Sequence, residues 1–181
     1  WASNGALAAE EYAIYNRDGE SPWREYAAEL ALETARRIYG GKIYLRGLIE
    51  FTNYFRNDCF YCGIRRGNAK VDRYRLDKEA ILVCCERGHN LGFRTFVLQG
   101  GEDEHFSDSV LVPIVEAMRE QFPDCAITLS AGERDRDSYQ RLFDAGANRY
   151  LLRHETATPE HYARFHPASL SLENRRRCLF E

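Results

Sequence analysis

Two cysteines, Cys59 and Cys62, have the spacing of a metal-binding pair. A C-x-x-C loop lets two thiolates converge on one ion or cluster, because the short loop, here followed by Gly63, can curl its backbone around the sulfurs. The preceding segment, residues 43–52, is rich in β-branched and aromatic residues, which predicts a strand directly before the loop. The pair is therefore expected where α/β proteins keep their sites, after the carboxyl end of a strand.

The spacing alone leaves the kind of site open, because zinc sites, thioredoxin-like redox pairs, iron–sulfur loops and unligated cysteines all contain C-x-x-C. A zinc knuckle needs a second close pair of Cys or His, which does not occur. A thioredoxin-type pair opens a helix, whereas Gly63, Gly67 and Asn68 favour an extended loop. The remaining cysteines stand in apolar contexts and are predicted to be small core residues rather than ligands. They are Cys84, Cys85, Cys125 and Cys178.

The composition is that of a globular domain, with 181 residues of which 44% are hydrophobic. The formal net charge of −3 gives no electrostatic footprint for nucleic acid or a membrane, so neither is expected as a partner. No signal-peptide pattern or apolar run of about 18 residues occurs, and a cytoplasmic, reducing setting with free thiols is predicted. Because the chain begins at Trp1 and stops inside a predicted helix, we expect a fragment of a longer protein.

From residue 43 onward, strand-like and helix-like periods alternate, which is typical of βα units and a parallel sheet. About four such units predict an α/β fold, a partial (β/α) barrel of the TIM type over residues 42–181. An N-terminal helical extension is predicted over residues 1–41. Strands are predicted at about 43–52, 95–98, 126–129 and 149–152, and helices at 6–12, 22–38, 77–91, 107–121, 137–145 and from about 171.

Polar residues follow each predicted strand. Gly100, Gly101 and Glu102 come directly after the second strand, where glycines let backbone groups approach a ligand, although a tight turn explains them equally well. On the third strand Thr128 and Ser130 share one face, where they meet either a polar substrate or a structural hydrogen-bond partner.

After the fourth strand, Arg153 and Glu155 are expected to share a face, with His154 on the other side. The two charged groups either pair with each other or face a ligand.

Several of these segments, taken in order, resemble the radical S-adenosylmethionine enzymes, whose cluster loop has the pattern C-x-x-x-C-x-aromatic-C. The segments YCGIRRGN, RYRL, RYLLRHETA and SLENR are most similar to the HydE family of hydrogenase maturases within that superfamily. The resemblance implies a 4Fe-4S cluster held by three thiolates, with S-adenosylmethionine on the fourth iron. The first thiolate belongs at position 55, which is Phe55, and a phenyl ring has no lone pair with which to replace it.

The resemblance also implies roles for individual residues. Those implied to contact the cofactors are Cys59 and Cys62 on iron, Tyr61 on the adenine, Gly100, Gly101 and Glu102 on the amino group of S-adenosylmethionine, Glu155 on its ribose or amino end, and Arg175 on its carboxylate. Thr128 and Arg153 are implied to face the substrate pocket. The family often has Ser where Gly100 stands, a mild departure.

The function implied is reductive cleavage of S-adenosylmethionine to a 5′-deoxyadenosyl radical used in assembling the active-site cluster of FeFe-hydrogenase. The implied partners are a small-molecule or organometallic iron substrate and other hydrogenase maturation proteins. Two alternatives remain open. One is another barrel enzyme of the biotin-synthase or methylornithine-synthase type, and the other is a degenerate, non-catalytic half-barrel, which Phe55 favours.

Overall fold

The computed structural model describes residues 22–181 as alternating helices and strands. In chain order they are α1 (Pro22–Tyr39), β1 (Gly47–Thr52), α2 (Lys78–Asn90), β2 (Thr95–Gly100), α3 (Asp108–Gln121), β3 (Ala126–Ser130), α4 (Arg136–Asp144), β4 (Arg149–Tyr150), α5 (Pro159–Phe165) and α6 (Leu172–Phe180). The chain divides into two units between Tyr44 and Leu45, so that α1 belongs to the first unit and all of the strands belong to the second.

The four strands form one parallel sheet in the order β1-β2-β3-β4. This sheet with its intervening helices confirms the predicted partial (β/α) barrel. Alternate side chains of each strand are buried against the helices, as the two-residue period of a strand requires. The apolar side chains that meet there are Ile49, Phe51, Phe96, Leu98, Ile127 and Leu129 from the strands, and Ile81, Leu111, Ile114, Val115 and Met118 from the helices.

The other face of the sheet carries the polar side chains and is less well covered. Thr128 and Ser130 lie on this face, opposite Ile127 and Leu129, as predicted. Leu48 on the edge strand β1 is 55% exposed. This face is the one that lines the interior of a complete barrel.

Side-chain caps fix the starts of three helices. Asp77 accepts a hydrogen bond from the amide of Ala80 at the start of α2, and Ser171 accepts one from Asn174 at the start of α6. Asp135 caps α4 in the same way. Helix α5 was not predicted, because its seven residues are too few to display a helical period. The predicted helix over residues 6–12 lies outside the described residues.

The predicted burial of the cysteines is correct for Cys85, Cys125 and Cys178 and wrong for Cys84, which is exposed. Cys84 and Cys85 are neighbours on α2, so only one of them can face the sheet. Within residues 22–181, no helix has both the length and the apolar character needed to cross a membrane.

Candidate functional site

The residues between β1 and α2, which we call the cysteine loop (53–76), are held in shape by internal hydrogen bonds. The guanidinium of Arg73 donates to the carbonyls of Ile64 and Arg65, each at 2.7 Å, and also to that of Asn53. The Asp58 carboxylate accepts from the amide of Gly67 at 3.0 Å. These hydrogen bonds fix the shape of the loop, so that it presents its cysteines without regular secondary structure, as Gly63, Gly67 and Asn68 predicted.

Two contacts tie the start of the cysteine loop to the segment that follows β2. The amide of Arg56 donates to the carbonyl of Glu102 at 2.8 Å, and the amide of Gly101 donates to Thr52 at 3.2 Å. A Cβ at Gly101 would lie 1.9 Å from the carbonyl oxygen of Tyr54 and 2.6 Å from the ring of Phe55. Position 101 therefore requires glycine because the backbone of the loop passes directly over it.

A second anchor holds the far end of the loop. Asp103 accepts hydrogen bonds from Thr52 at 2.8 Å and from two guanidinium nitrogens of Arg75 at 2.7 and 2.8 Å. The Arg75 guanidinium also lies 4.0 Å from the ring centroid of Tyr54. Burial acts to raise the pKa of Asp103, but these hydrogen bonds outweigh it and hold the pKa below its usual range.

The two cysteines of the loop open into a cleft of about 170 Å³ at the carboxyl edge of the sheet. Most of the residues that the sequence singled out line this cleft together. They are Cys59, Tyr61, Cys62, Gly100, Glu102, Arg153, Glu155 and Arg175. Gly101 and Thr128 are not among the lining residues, and both are buried. The geometry brings eight predicted site residues to one place, although their individual contacts with cofactors stay predictions.

The cleft also contains two residues that the sequence analysis did not single out, Gly132 and His166, together with Ser130 and Phe55, which it did. The His166 ring is buried, with Nδ1 2.9 Å from the carbonyl oxygen of Tyr162 and Nε2 3.4 Å from the hydroxyl of Tyr61. No sequence signal could have found His166, because the unpredicted helix α5 brings it to the cysteine loop.

The environment of Cys59 keeps its thiol protonated when no metal is bound. Burial raises the pKa of Cys59, and a hydrogen bond from the Tyr61 hydroxyl partly opposes this effect. Burial likewise raises the pKa of Tyr61, and the nearby Cys59 raises it further. The phenol therefore stays neutral and can donate a hydrogen bond toward sulfur.

A charge network borders the cleft through Glu102 and Arg175. Arg175 Nη2 is 3.0 Å from Glu102 Oε1, and Arg175 Nε is 2.9 Å from Glu133 Oε1 without hydrogen-bond alignment. Arg56 reaches the other oxygen of Glu102 at 3.1 Å. Burial acts to lower the pKa of Arg175, but the two carboxylates outweigh it and raise the pKa above its usual range. Arg175, expected to clamp a ligand carboxylate, is thus already held by two protein carboxylates.

The segment after β4 departs from the expected extended geometry. Arg153 and Glu155 are both exposed, and Arg153 donates to the Gln99 side chain at 3.0 Å instead of pairing with Glu155. Glu155 has φ 62°, a left-handed conformation that non-glycine residues rarely adopt. Backbone strain of this kind is concentrated at ligand-binding sites, which supports a functional role for Glu155.

Comparisons with known proteins agree with this geometry. No protein-family model matches the chain. It is 40% identical over 157 residues to the FeFe hydrogenase maturase subunit HydE of Thermotoga maritima, covering 87% of this chain and 44% of that protein. It is 27% identical over 135 residues to 3-methylornithine synthase of Methanosarcina acetivorans, covering 74% of this chain and 38% of that enzyme.

Solved structures have the same fold. The crystal structure of methylornithine synthase (PylB) superimposes with a TM-score of 0.76 at 26% identity, covering 89% of this chain and 48% of the other. The maturase HydG of Carboxydothermus hydrogenoformans superimposes with a TM-score of 0.85 over 96% of this chain and 41% of its own, and its 24% identity supports the fold alone. The chain spans less than half the length of the relatives it matches.

The parallel half-barrel, with its cysteine loop at the carboxyl edge of the sheet, defines a radical S-adenosylmethionine fold, and the chain belongs to that superfamily. Within the superfamily it is close to HydE, over about the N-terminal half of the HydE chain.

Proposed function

We propose that this chain is part of a radical S-adenosylmethionine enzyme of the HydE type. Such an enzyme cleaves S-adenosylmethionine reductively and uses the resulting 5′-deoxyadenosyl radical in assembling the active-site cluster of FeFe-hydrogenase. The observation that carries the proposal is the convergence of Cys59, Cys62, Glu102 and Glu155 on one cleft, in a chain 40% identical to HydE. The cofactors proposed are a 4Fe-4S cluster and S-adenosylmethionine.

The residues present do not complete the ligand set of such a cluster. Cys59 and Cys62 supply two thiolates, while Phe55 stands where the pattern has its first thiolate, with its ring against Gly101. A phenyl ring cannot coordinate iron, so the loop offers one ligand too few. We therefore propose that this chain retains a cluster weakly.

The part of the cleft proposed for S-adenosylmethionine is better preserved. Carbonyl oxygens after β2 are acceptors suited to an amino group, and the Glu102 carbonyl keeps a second lone pair beside its bond from Arg56. Glu155 presents an exposed carboxylate at the rim of the same cleft. We propose that Arg175 acts mainly as a positioning residue, because its guanidinium pairs with the Glu102 carboxylate and holds it in place.

The substrate and the partners follow only from the relationship to HydE. We propose an organometallic iron substrate that reaches the cleft near Arg153 and Thr128, and contact with other hydrogenase maturation proteins. A substrate of the methylornithine-synthase or biotin-synthase type is a second candidate within the superfamily. The 27% identity to 3-methylornithine synthase supports only the first of these, and less strongly than the 40% identity supports HydE.

The decisive test is anaerobic reconstitution with iron and sulfide, comparing the chain with Phe55→Cys. The restored thiolate should raise the iron retained after desalting and give an electron-spin-resonance signal that changes when S-adenosylmethionine is added. Phe60→Cys is the matched control, since Phe60 is 57% exposed in the same loop but one residue from Cys59, outside the ligand pattern.

The outcomes separate the enzyme from a degenerate half-barrel. A signal in Phe55→Cys that responds to S-adenosylmethionine, absent from Phe60→Cys, supports the proposal. If neither variant takes up iron, the half-barrel is a non-catalytic fold. If the unaltered chain already holds a full cluster that Phe55→Cys does not improve, our interpretation of position 55 is wrong.

A further inference from the structure

Three potential metal ligands meet at the amino edge of the sheet, opposite the cysteine loop. His89 lies in the last turn of α2, while Asp124 and Cys125 directly precede β3. Their ligand atoms all lie within 4.8 Å of one another. Arg94 and Ala126, joined by a hydrogen bond between their backbones at 2.9 Å, mark this end of the sheet.

The distances approach those of a metal-bound set. His89 Nε2 is 3.1 Å from Asp124 Oδ1, and Cys125 Sγ is 3.7 Å from the same oxygen. Around a tetrahedral zinc ion with bonds of about 2.0 to 2.3 Å, neighbouring ligand atoms lie about 3.3 to 3.6 Å apart. Two sides of the triangle are thus already close to these values, and the third, between His89 and Cys125, is no longer than 4.8 Å.

The surroundings hold the ligands in place and leave access for an ion. The Arg119 guanidinium donates to the carbonyls of Pro123 and Cys125 at 3.1 and 2.8 Å, which fixes the turn that carries two of the ligands. The Cys125 residue is only 3% exposed, whereas the side chains of His89 and Asp124 are 30% and 51% exposed. An ion can therefore enter from the solvent side and meet a sulfur that is shielded from water.

A different explanation for the cluster is an ion pair. Arg94 Nε lies 2.8 Å from Asp124 Oδ2, and the His89 ring can also donate to this carboxylate. The Cys125 thiol takes no part in this ion pair and donates only long hydrogen bonds, to the Phe93 carbonyl at 3.9 Å and to Asp124 Oδ1 at 3.7 Å. Arg94 occupies only Oδ2, so Oδ1 stays directed at the histidine and the thiol.

We propose that His89, Asp124 and Cys125 bind a divalent transition-metal ion of the zinc type, with water as the fourth ligand. Imidazole, carboxylate and thiolate together suit zinc better than magnesium or calcium, which prefer oxygen ligands. On binding, the ion replaces the thiol proton, which is released to solvent, and links α2 to the start of β3. Because it lies at the amino edge of the sheet, it stabilises the fold and takes no part in the cleft.

The test uses Co²⁺ alone as the probe, in the full chain carrying Cys59→Ser and Cys62→Ser so that the cysteine loop cannot bind it. A bond between Co²⁺ and a thiolate gives a near-ultraviolet charge-transfer band, which is followed during titration. We expect saturation at one ion per chain, loss of the band in Cys125→Ser, and affinity lowered about tenfold or more in His89→Gln. Cys178→Ser, which alters another buried cysteine, is the matched control and should leave the titration unchanged.

Each outcome decides the proposal. The absence of the band at millimolar Co²⁺, a band that survives Cys125→Ser, or an affinity that is unchanged in His89→Gln overturns it. If Cys125→Ser does not fold, His89→Gln decides alone, since it keeps the thiol and alters a partly exposed side chain.

A third variant tests the carboxylate. Arg94→Gln frees the second oxygen of Asp124, and we expect it to raise the Co²⁺ affinity about two- to fivefold, the value of one exposed ion pair. An unchanged or lower affinity contradicts the assignment of Asp124 as a ligand.

Discussion

Arg175 Nη2 lies 3.0 Å from Glu102 Oε1 in a region where the arginine is 8% exposed and the glutamate 9%. This buried pair joins the last helix to the segment after β2, 73 residues earlier in the sequence. The cleft that both residues line therefore depends on two buried charges that neutralise each other. Removing one charge leaves the other poorly solvated and without that ion-pair partner.

Replacing Arg175 with Met should lower the free energy of unfolding by about 3 to 5 kcal/mol at pH 7. Without the guanidinium, the Glu133 carboxylate loses its ion-pair partner and Glu102 keeps only Arg56. Unfolding in guanidinium chloride at pH 7 measures the loss. Arg176→Ala, at an exposed neighbour, should change stability by less than about 0.5 kcal/mol, and an equal loss in both variants would contradict the role given to the pair.

Gly132 provides the space in which Glu102 lies. Its φ of 82° is unfavourable for other residues, and a Cβ would lie 1.9 Å from Glu102 Cγ. We expect Gly132→Ala to lower the free energy of unfolding by about 2 to 4 kcal/mol through backbone strain and overpacking. Gly63→Ala is the control, since a Cβ there meets no atom within 4 Å. Denaturant unfolding of both variants compares the two sites, and similar stabilities would show that the segment moves aside freely.

The strands and most helices could be predicted because their local periods and caps agree with the fold. Thr128 and Ser130 were assigned to the correct face from the two-residue period of β3 alone. The start of β1 was placed too early, since Ile43, at 87% exposure, is apolar but lies outside the strand. The sequence shows that Ile43 is apolar, but it does not show whether the residue is paired in the sheet.

The site could be predicted less completely than the fold. The cysteine loop and the residues after each strand are local features, so Cys59, Cys62 and Glu102 were found. The face shared by Arg153 and Glu155 was inferred from a strand that in fact ends at Tyr150, before a left-handed turn. Contacts such as the two glutamates around Arg175 arise only from tertiary packing.

Asp103 anchors the cysteine loop through its charge, and its pKa is held below its usual range by hydrogen bonds that outweigh burial. A carboxylate of this kind stabilises the fold above its unfolded pKa of about 3.9, and the stabilisation is lost as the pH falls below that value. Asp103→Asn should therefore cost about 1 to 3 kcal/mol at pH 7, and the difference should shrink between pH 5 and about 3. Unfolding curves across this range test the sign, and Glu104→Gln, at an exposed neighbour, should show no such trend. If the difference in free energy of unfolding between the unaltered chain and Asp103→Asn stays constant with pH, the charge of Asp103 does not stabilise the fold.

The Tyr61 hydroxyl is placed to donate a hydrogen bond to the sulfur of Cys59, and we expect this bond to set the reactivity of the thiol. That bond lowers the pKa of Cys59, against the effect of burial, because it stabilises the thiolate. In Tyr61→Phe of the iron-free chain, alkylation of Cys59 by iodoacetamide should follow a pH profile displaced to higher pH, with a rate about two- to tenfold lower at a fixed pH near 8.

Mass spectrometry separates Cys59 from Cys62, which serves as the internal control in each sample. A purely steric effect of the lost hydroxyl would scale the rate at every pH without moving the profile. A profile that does not move, or that moves to lower pH, would mean that the Tyr61 hydroxyl does not donate to Cys59. In that case the hydroxyl would be engaged mainly with His166, whose Nε2 lies 3.4 Å away, and His166→Gln should leave the Cys59 profile unchanged.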